Sequence, residues 1–248
     1  DADVRQAIQQ GLDGALNSHA LLRRLLDHDS WLAPAARDEA GRAFFLRVKD
    51  PDGHRHLFLC ADRRAYDDCL ARVGRAVLGE HYVTAAGVDL FASLPDEVDV
   101  VGIDAFSPPE LRYSGEQVPA LRRWAAAARV ERALAGPRPD LSLVRRFDGY
   151  YVAMQRLAGD ARALVLAPDR RGRRLAAVFT APDAVEAFLR DQGDGGLQFE
   201  PVIEQMRGQE LFVALQSLPL DGIIFNCAGP VAPRRFVPAF ARAVLDAA

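Results

Sequence analysis

Cys227 is the residue whose surroundings most invite chemistry. It follows the apolar run Gly222-Ile223-Ile224-Phe225-Asn226 and precedes Ala228-Gly229-Pro230. That places it at the carboxyl end of a strand, where open α/β sheets bind ligands. Amides of a following helix start would favour a thiolate there. A partner base is missing from the neighbourhood, since all 5 histidines, His19, His28, His54, His56 and His81, lie in the first half of the chain. A small buried cysteine is the plainer reading of the same residue.

Asp104 stands at an equivalent strand end, after Val98-Asp99-Val100-Val101-Gly102-Ile103. Polar residues at such ends cap loops or meet ligands. The loops Asp104–Pro109, with Phe106, and Asn226–Pro230, with Cys227 and Gly229, are therefore the first places to seek a binding site. A second candidate is the basic knot Arg170-Arg171-Gly172-Arg173-Arg174 on a hairpin tip, which would grip an anion or an acidic partner unless it is simply a solvated turn. His54, His56 and Cys60 share strand parity, but residues 54 and 60 would lie ~20 Å apart along an extended strand, too far for one ion. No metal is expected. The glycines match neither GxGxxG nor GxxxxGK[ST], and there is no Gly-x-Ser-x-Gly elbow or HExxH. No cofactor is expected either.

The elements that hold these residues occur twice. Asp50, Gly53, Arg55, Ala65 and Leu70 are matched at one constant offset by Asp169, Gly172, Arg174, Ala184 and Leu189. The register slips slightly at Leu90-Phe91 against Leu211-Phe212 and at Asp104 against Asn226. It is recovered at Val118-Pro119-Ala120 against Val237-Pro238-Ala239. Residues 42–128 thus resemble residues 161–247. In each stretch two apolar runs flank an Asp/Gly turn, the signature of a hairpin. A helix follows, capped by Asp62 in the first stretch and by a Thr180–Asp183 capping box in the second. Then come a strand, a short helix, a buried strand and a closing helix, the last running from Arg234 to Leu245 in the second stretch. This order predicts an α/β fold of two tandem mixed-sheet domains with helices packed on the sheets. Helices at residues 4–26 join the first domain, residues 1–135. Gly136-Pro137-Arg138-Pro139 is the linker, and residues 140–248 form the second domain.

With 31 basic and 34 acidic residues and a net charge of −3, the chain lacks the basic excess of a nucleic-acid-binding protein. Its 3 cysteines match no zinc or CxxC pattern and their odd number resists a disulfide framework, so reduced cytoplasmic thiols are expected. No apolar run reaches the ~20 residues that span a bilayer, so no membrane contact is expected.

Ala177-Val178-Phe179-Thr180, Gly208-Gln209-Glu210-Leu211 and Gly222-Ile223-Ile224-Phe225-Asn226 resemble the N-terminal domain of the SseB-type, or enhanced-serine-sensitivity, family of bacterial proteins. The chain departs from that family after Asn226, with Cys227 where proline would follow. The first stretch is a more distant relative, with Cys60-Ala61-Asp62 replacing Phe-Thr. The resemblance implies a cytoplasmic binding or adaptor protein with no catalytic residue to transfer, acting on an unknown protein or small ligand. Two alternatives stand beside it: a sulfur- or acyl-transfer enzyme using Cys227, and a secretion-associated or toxin-neutralising interaction protein.

Overall fold

Trp31 and Tyr150 hold the same post in two halves of the chain. Each ring is fully buried at the start of a strand. Trp31 donates its indole N–H to the Leu25 carbonyl at 2.9 Å, and Tyr150 donates its hydroxyl to the Val144 carbonyl at 2.9 Å. A buried ring with a polar tip needs such an acceptor, and here it ties a helix end to the sheet. The computed structural model describes residues 2–79, 81–157, 159, 161–167, 171–193 and 201–247. The chain divides into the units Asp1–Ala125 and Ala126–Ala248.

The first unit begins with α1 (Ala2–Leu12) and α2 (Ser18–Asp27), followed by β1 (Trp31–Arg37), β2 (Ala43–Phe45), β3 (Val48–Lys49) and β4 (Arg55–Leu59). Next come α3 (Arg63–Val73), α4 (Arg75–Leu78), β5 (Tyr82–Ala85), α5 (Gly87–Ala92), β6 (Val100–Ile103) and β7 (Leu111–Ser114). A single 3-10 turn, Gly115–Gln117, leads into α6 (Val118–Ala135). Strands pair as β2-β1-β5 and β3-β4-β6-β7, and the bridge Leu32↔Cys60 links β1 to the end of β4.

The second unit continues with α7 (Leu141–Arg146), β8 (Tyr150–Arg156), β9 (Arg162–Leu164), β10 (Leu166–Ala167) and β11 (Leu175–Phe179). It ends with α8 (Pro182–Gly193), β12 (Val202–Met206), α9 (Gly208–Ser217), β13 (Gly222–Phe225), β14 (Arg234–Phe236) and α10 (Ala239–Asp246). Its sheet order is β12-β8-β11-β13-β14, with β9 on β8 and β10 on β11. Among the described strands, β4–β6 and β11–β13 are the parallel pairs, and the remaining pairings are antiparallel. The fold is therefore α/β with mixed sheets.

Gly208 shows why the Gly-x-Glu-Leu start of α9 is specific. A Cβ there would lie 2.4 Å from the Arg145 carbonyl oxygen, and its N–H donates to the Phe147 carbonyl at 2.6 Å. Gly87, at the start of α5, meets the same constraint 2.3 Å from the Leu25 carbonyl oxygen. Close backbone approach demands glycine in both places.

Several elements differ from the sequence expectation. β1 and β8 were not anticipated, because Leu32-Ala33-Pro34-Ala35 and Val152-Ala153 are buried on both faces and show no alternation. β14 replaces the first turn of the helix expected from Arg234. Pro238 disfavours helical geometry in the residue before it, so α10 starts only at Ala239. The Thr180–Asp183 capping box does not form. Thr180 is engaged elsewhere, and Asp183 accepts instead from the Ala184 N–H at 2.8 Å. The division between units falls inside α6, ahead of the Gly136–Pro139 stretch.

Candidate functional site

β11 and β13 run parallel, so their carboxyl ends open side by side. Asn226, just past β13, adopts φ 48, the left-handed region in which asparagine is tolerated. Its Oδ1 accepts the Thr180 N–H at 3.0 Å, and its Nδ2 donates to Thr180 Oγ1 at 2.9 Å. Thr180 in turn donates its hydroxyl to Glu131 Oε1 at 2.5 Å. With Asn226 and Thr180 almost wholly buried, these bonds satisfy groups that water does not reach. Asn226 is the knot that ties two strand ends together.

Asp104 performs the same task in the first unit. It too has φ 48, and its Oδ1 accepts the Ala61 N–H at 2.7 Å. Its Oδ2 faces Arg5 Nε at 3.3 Å, while Arg5 Nη2 bonds Asp62 at 3.1 Å and Ser107 Oγ at 3.4 Å. Burial pushes the Asp104 carboxyl up to about 6, against the opposing pull of the Ala61 N–H and Arg5. Both residues thus look inward, away from any ligand at the loop surface.

The chain beyond Asn226 encloses an open groove of about 760 Å³. Its floor is apolar, with Phe188 from α8, Ile224 from β13, Ala167 from β10 and Ala228 from the loop. Cys227 lies on its wall, and Asp191, Arg234 and Arg235 are exposed at its rim. The volume falls within the range typical of small-molecule sites. Gly229 sets the path of this loop. It has φ 97, and a Cβ there would come within 2.9 Å of the Ala184 backbone.

Burial holds the Cys227 thiol up to about 11, with the Asp191 carboxylate adding to the rise. The group is therefore a neutral thiol near pH 7, and the second unit contains no histidine to deprotonate it.

Corresponding positions in the first unit carry larger side chains. Phe58 on β4 faces Gly102 on β6, where the second unit pairs Ala177 with Ile224. Three residues past the strand end, Phe106 occupies the place of Ala228. It adopts φ 71, and its partly exposed ring lies 5.7 Å from that of Phe58. The Phe106 ring thus covers a place that the second unit leaves to Ala228.

The basic knot is divided. Arg170 lies outside the described residues, Arg171 is exposed and Arg173 is half-buried. Arg174 is clamped to Asp221, whose Oδ2 accepts the Arg174 N–H at 2.8 Å and faces Nε at 3.5 Å. Arg55 and Asp99 repeat that clamp in the first unit at 2.7 and 3.2 Å. Arg174 is thus a structural residue, and Arg171, Arg173 and Arg174 are not among the residues that line the groove.

Asp50 was missing from the histidine constellation considered above. Its Oδ2 meets His56 Nε2 at 3.0 Å and His54 Nδ1 at 3.4 Å, and it is held down to about 2, chiefly by His56. Asp50, Asp52 and His54 bring one ligand atom each within 4.8 Å of one another on this exposed turn. Cys60 faces the core instead.

No family model matches the chain. No curated protein matches it either. Among solved structures it is similar to Anabaena Tic22, described as a protein of protein transport, at 11% identity over 82% of this chain and 88% of that chain, with a TM-score of 0.22. A likeness that remote carries no argument about function. Among the described residues no helix is long and apolar enough to cross a membrane.

The sequence located this site only in part. Cys227 and Gly229 were singled out, whereas Phe188, Ile224, Ala228, Arg234 and Arg235 were not. The readable signal was the contrast of Phe106 with Ala228 in aligned loops. Glu131 had none, since its role depends on where α6 places it.

Proposed function

We propose that the protein is a non-enzymatic, cytoplasmic binding module of the SseB type whose second unit receives a small organic anion with an apolar body. The supporting observation is the groove beyond the end of β13, where Ala228 stands in the place of the Phe106 ring of the first unit. The apolar floor of Phe188, Ile224 and Ala228 would take the ligand body by burial from water. Arg234 and Arg235 at the rim favour an anionic head over a cationic one. The neutral Cys227 thiol argues for a wall residue over a nucleophile. The resemblance at Phe179-Thr180 and Gly208–Leu211 supports a binding role in the same sense.

The test uses 8-anilinonaphthalene-1-sulfonate, which joins an aromatic body to one sulfonate. Native protein should show saturable fluorescence enhancement at one site, and Ala228→Phe should abolish it while the far-UV spectrum and urea midpoint stay as in wild type. Equal binding by the folded Ala228→Phe variant would remove the groove as the site. Absence of any saturable signal would remove the ligand class. Iodoacetamide should label Cys227 more slowly than free N-acetylcysteine at pH 7, and faster labelling would restore the enzyme reading.

A further inference from the structure

Cys60 and Cys69 are buried thiols that the groove does not use. Cys60 follows β4 and bridges Leu32, while Cys69 lies on the buried face of α3. Both are inaccessible to solvent and share one core cluster with Leu32, Phe58, Tyr66 and Leu70. Packed in that cluster, each thiol perturbs the ionisation of the other. The second unit supplies an independent view of these positions, because Phe179 and Phe188 stand there and their rings are in contact, with centroids 5.1 Å apart. The end of the strand and the second turn of the helix thus face one another in both units.

We propose that Cys60 and Cys69 are a disulfide-forming pair, a redox-dependent staple between β4 and α3. Either sulfur can start the exchange, and the balance is the same from Cys69 as from Cys60. The Cys69 thiolate attacks one sulfur of a small disulfide such as oxidised glutathione. This forms a mixed disulfide and expels one glutathione thiolate. Cys60 then gives up its proton to solvent, attacks the Cys69 sulfur and expels the second glutathione thiolate. The two cysteines lose two electrons in total, and one glutathione disulfide becomes two thiols. Since neither sulfur is exposed, exchange proceeds when the core opens locally or while the chain folds. In a reducing compartment the pair stays a dithiol, and an oxidising shift closes it.

The staple would act on stability. It links residues close in sequence but held by two different elements, so it restricts the unfolded chain and locks the helix onto the strand. The unit that carries it should melt at a higher temperature when oxidised. Cys227 is partly accessible and would complicate the readout, so Cys227→Ser, or Cys227→Ala if serine weakens the fold, is the background.

The experiment equilibrates the full chain with glutathione buffers from fully reduced to fully oxidised, with and without sub-denaturing urea. Intact mass, a non-reduced peptide map and the melting midpoint are then read. The expected product is a monomer lighter by two hydrogens, with the peptides of Cys60 and Cys69 linked, melting above the reduced form and reverting with dithiothreitol. Urea should accelerate its formation. Cys60→Ser and Cys69→Ser should each abolish the mass loss. Three outcomes would overturn the proposal: both thiols recovered reduced from fully oxidised glutathione in urea, a glutathione adduct persisting on either cysteine, or an oxidised form that melts below the reduced one.

Discussion

Across the parallel strand pair at the centre of each unit, bulk has been exchanged between positions. The first unit places Phe58 against Gly102 and lays Phe106 over it; the second places Ala177 against Ile224 and leaves Ala228 in the loop. The exchange runs the other way one step towards the helix, where Cys60 and Cys69 face Phe179 and Phe188. Cores tolerate redistribution when total volume and patterning are kept. The backbone features that frame these positions are alike: φ 48 at both strand ends, a side-chain oxygen accepting from the neighbouring strand, and an Arg–Asp clamp at the opposite end. The difference between the units therefore lies in side-chain volume at a few positions, and it decides which strand end is covered and which is open.

The severest test strikes what the units share. Gly208→Ala and Gly87→Ala each drive a Cβ into a fixed carbonyl, and each should cost about 4 kcal/mol or more, read from urea midpoints. If either is tolerated, the likeness of the two helix starts is superficial. Next in size is Asn226→Asp. It keeps the acceptor for Thr180 but removes the Nδ2 donor and sets a carboxylate beside Glu131, for a loss of about 3 kcal/mol at neutral pH. The loss should shrink as the pH falls and the carboxyl groups protonate.

The reciprocal change, Asp104→Asn, tests the charge of the first knot. Asp104 is raised to about 6 from 3.8, so its contribution to stability is fully present below pH 3.8 and disappears as the pH climbs through about 6. Integrated over that window, the effect is at most about 3 kcal/mol. In Asp104→Asn this fall in stability should vanish, while the Ala61 N–H keeps its acceptor. An unchanged pH profile would show that the carboxyl titrates normally. The smallest effect is expected for Phe106→Ala. Its ring is partly exposed, so the cost should be about 1–2 kcal/mol. The variant should gain a binding place for the anilinonaphthalene probe that wild-type unit 1 lacks. Failure to gain one would mean that ring volume is not what separates the two strand ends.

Much of this frame was legible because it rests on local chemistry. The Asp50–Gly53 turn, the Asp62 cap and the inward spacing of Tyr66 and Leu70 each follow from rules a few residues long, whereas Val77, expected on the same stripe, lies beyond the end of α3 and is exposed. β1 and β8 were hidden because both of their faces are covered and the period-two pattern is lost. Cys227 and Gly229 could be found by their position after a strand. Glu131 and Arg5 could not, since each reaches its partner from a helix remote in sequence. The same holds for the Cys60–Cys69 contact, which only the docking of α3 against β4 creates.

Arg5 also bears on the lifetime of the protein. It is the cation opposite a carboxylate that is 0% exposed, and it sits in the first turns of α1. Proteolytic trimming of α1 would strand Asp104 as an uncompensated charge in the interior, a penalty of about 3–5 kcal/mol. That is a large share of what holds an ordinary domain folded. Loss of α1 would thus hand the first unit to the degradation machinery.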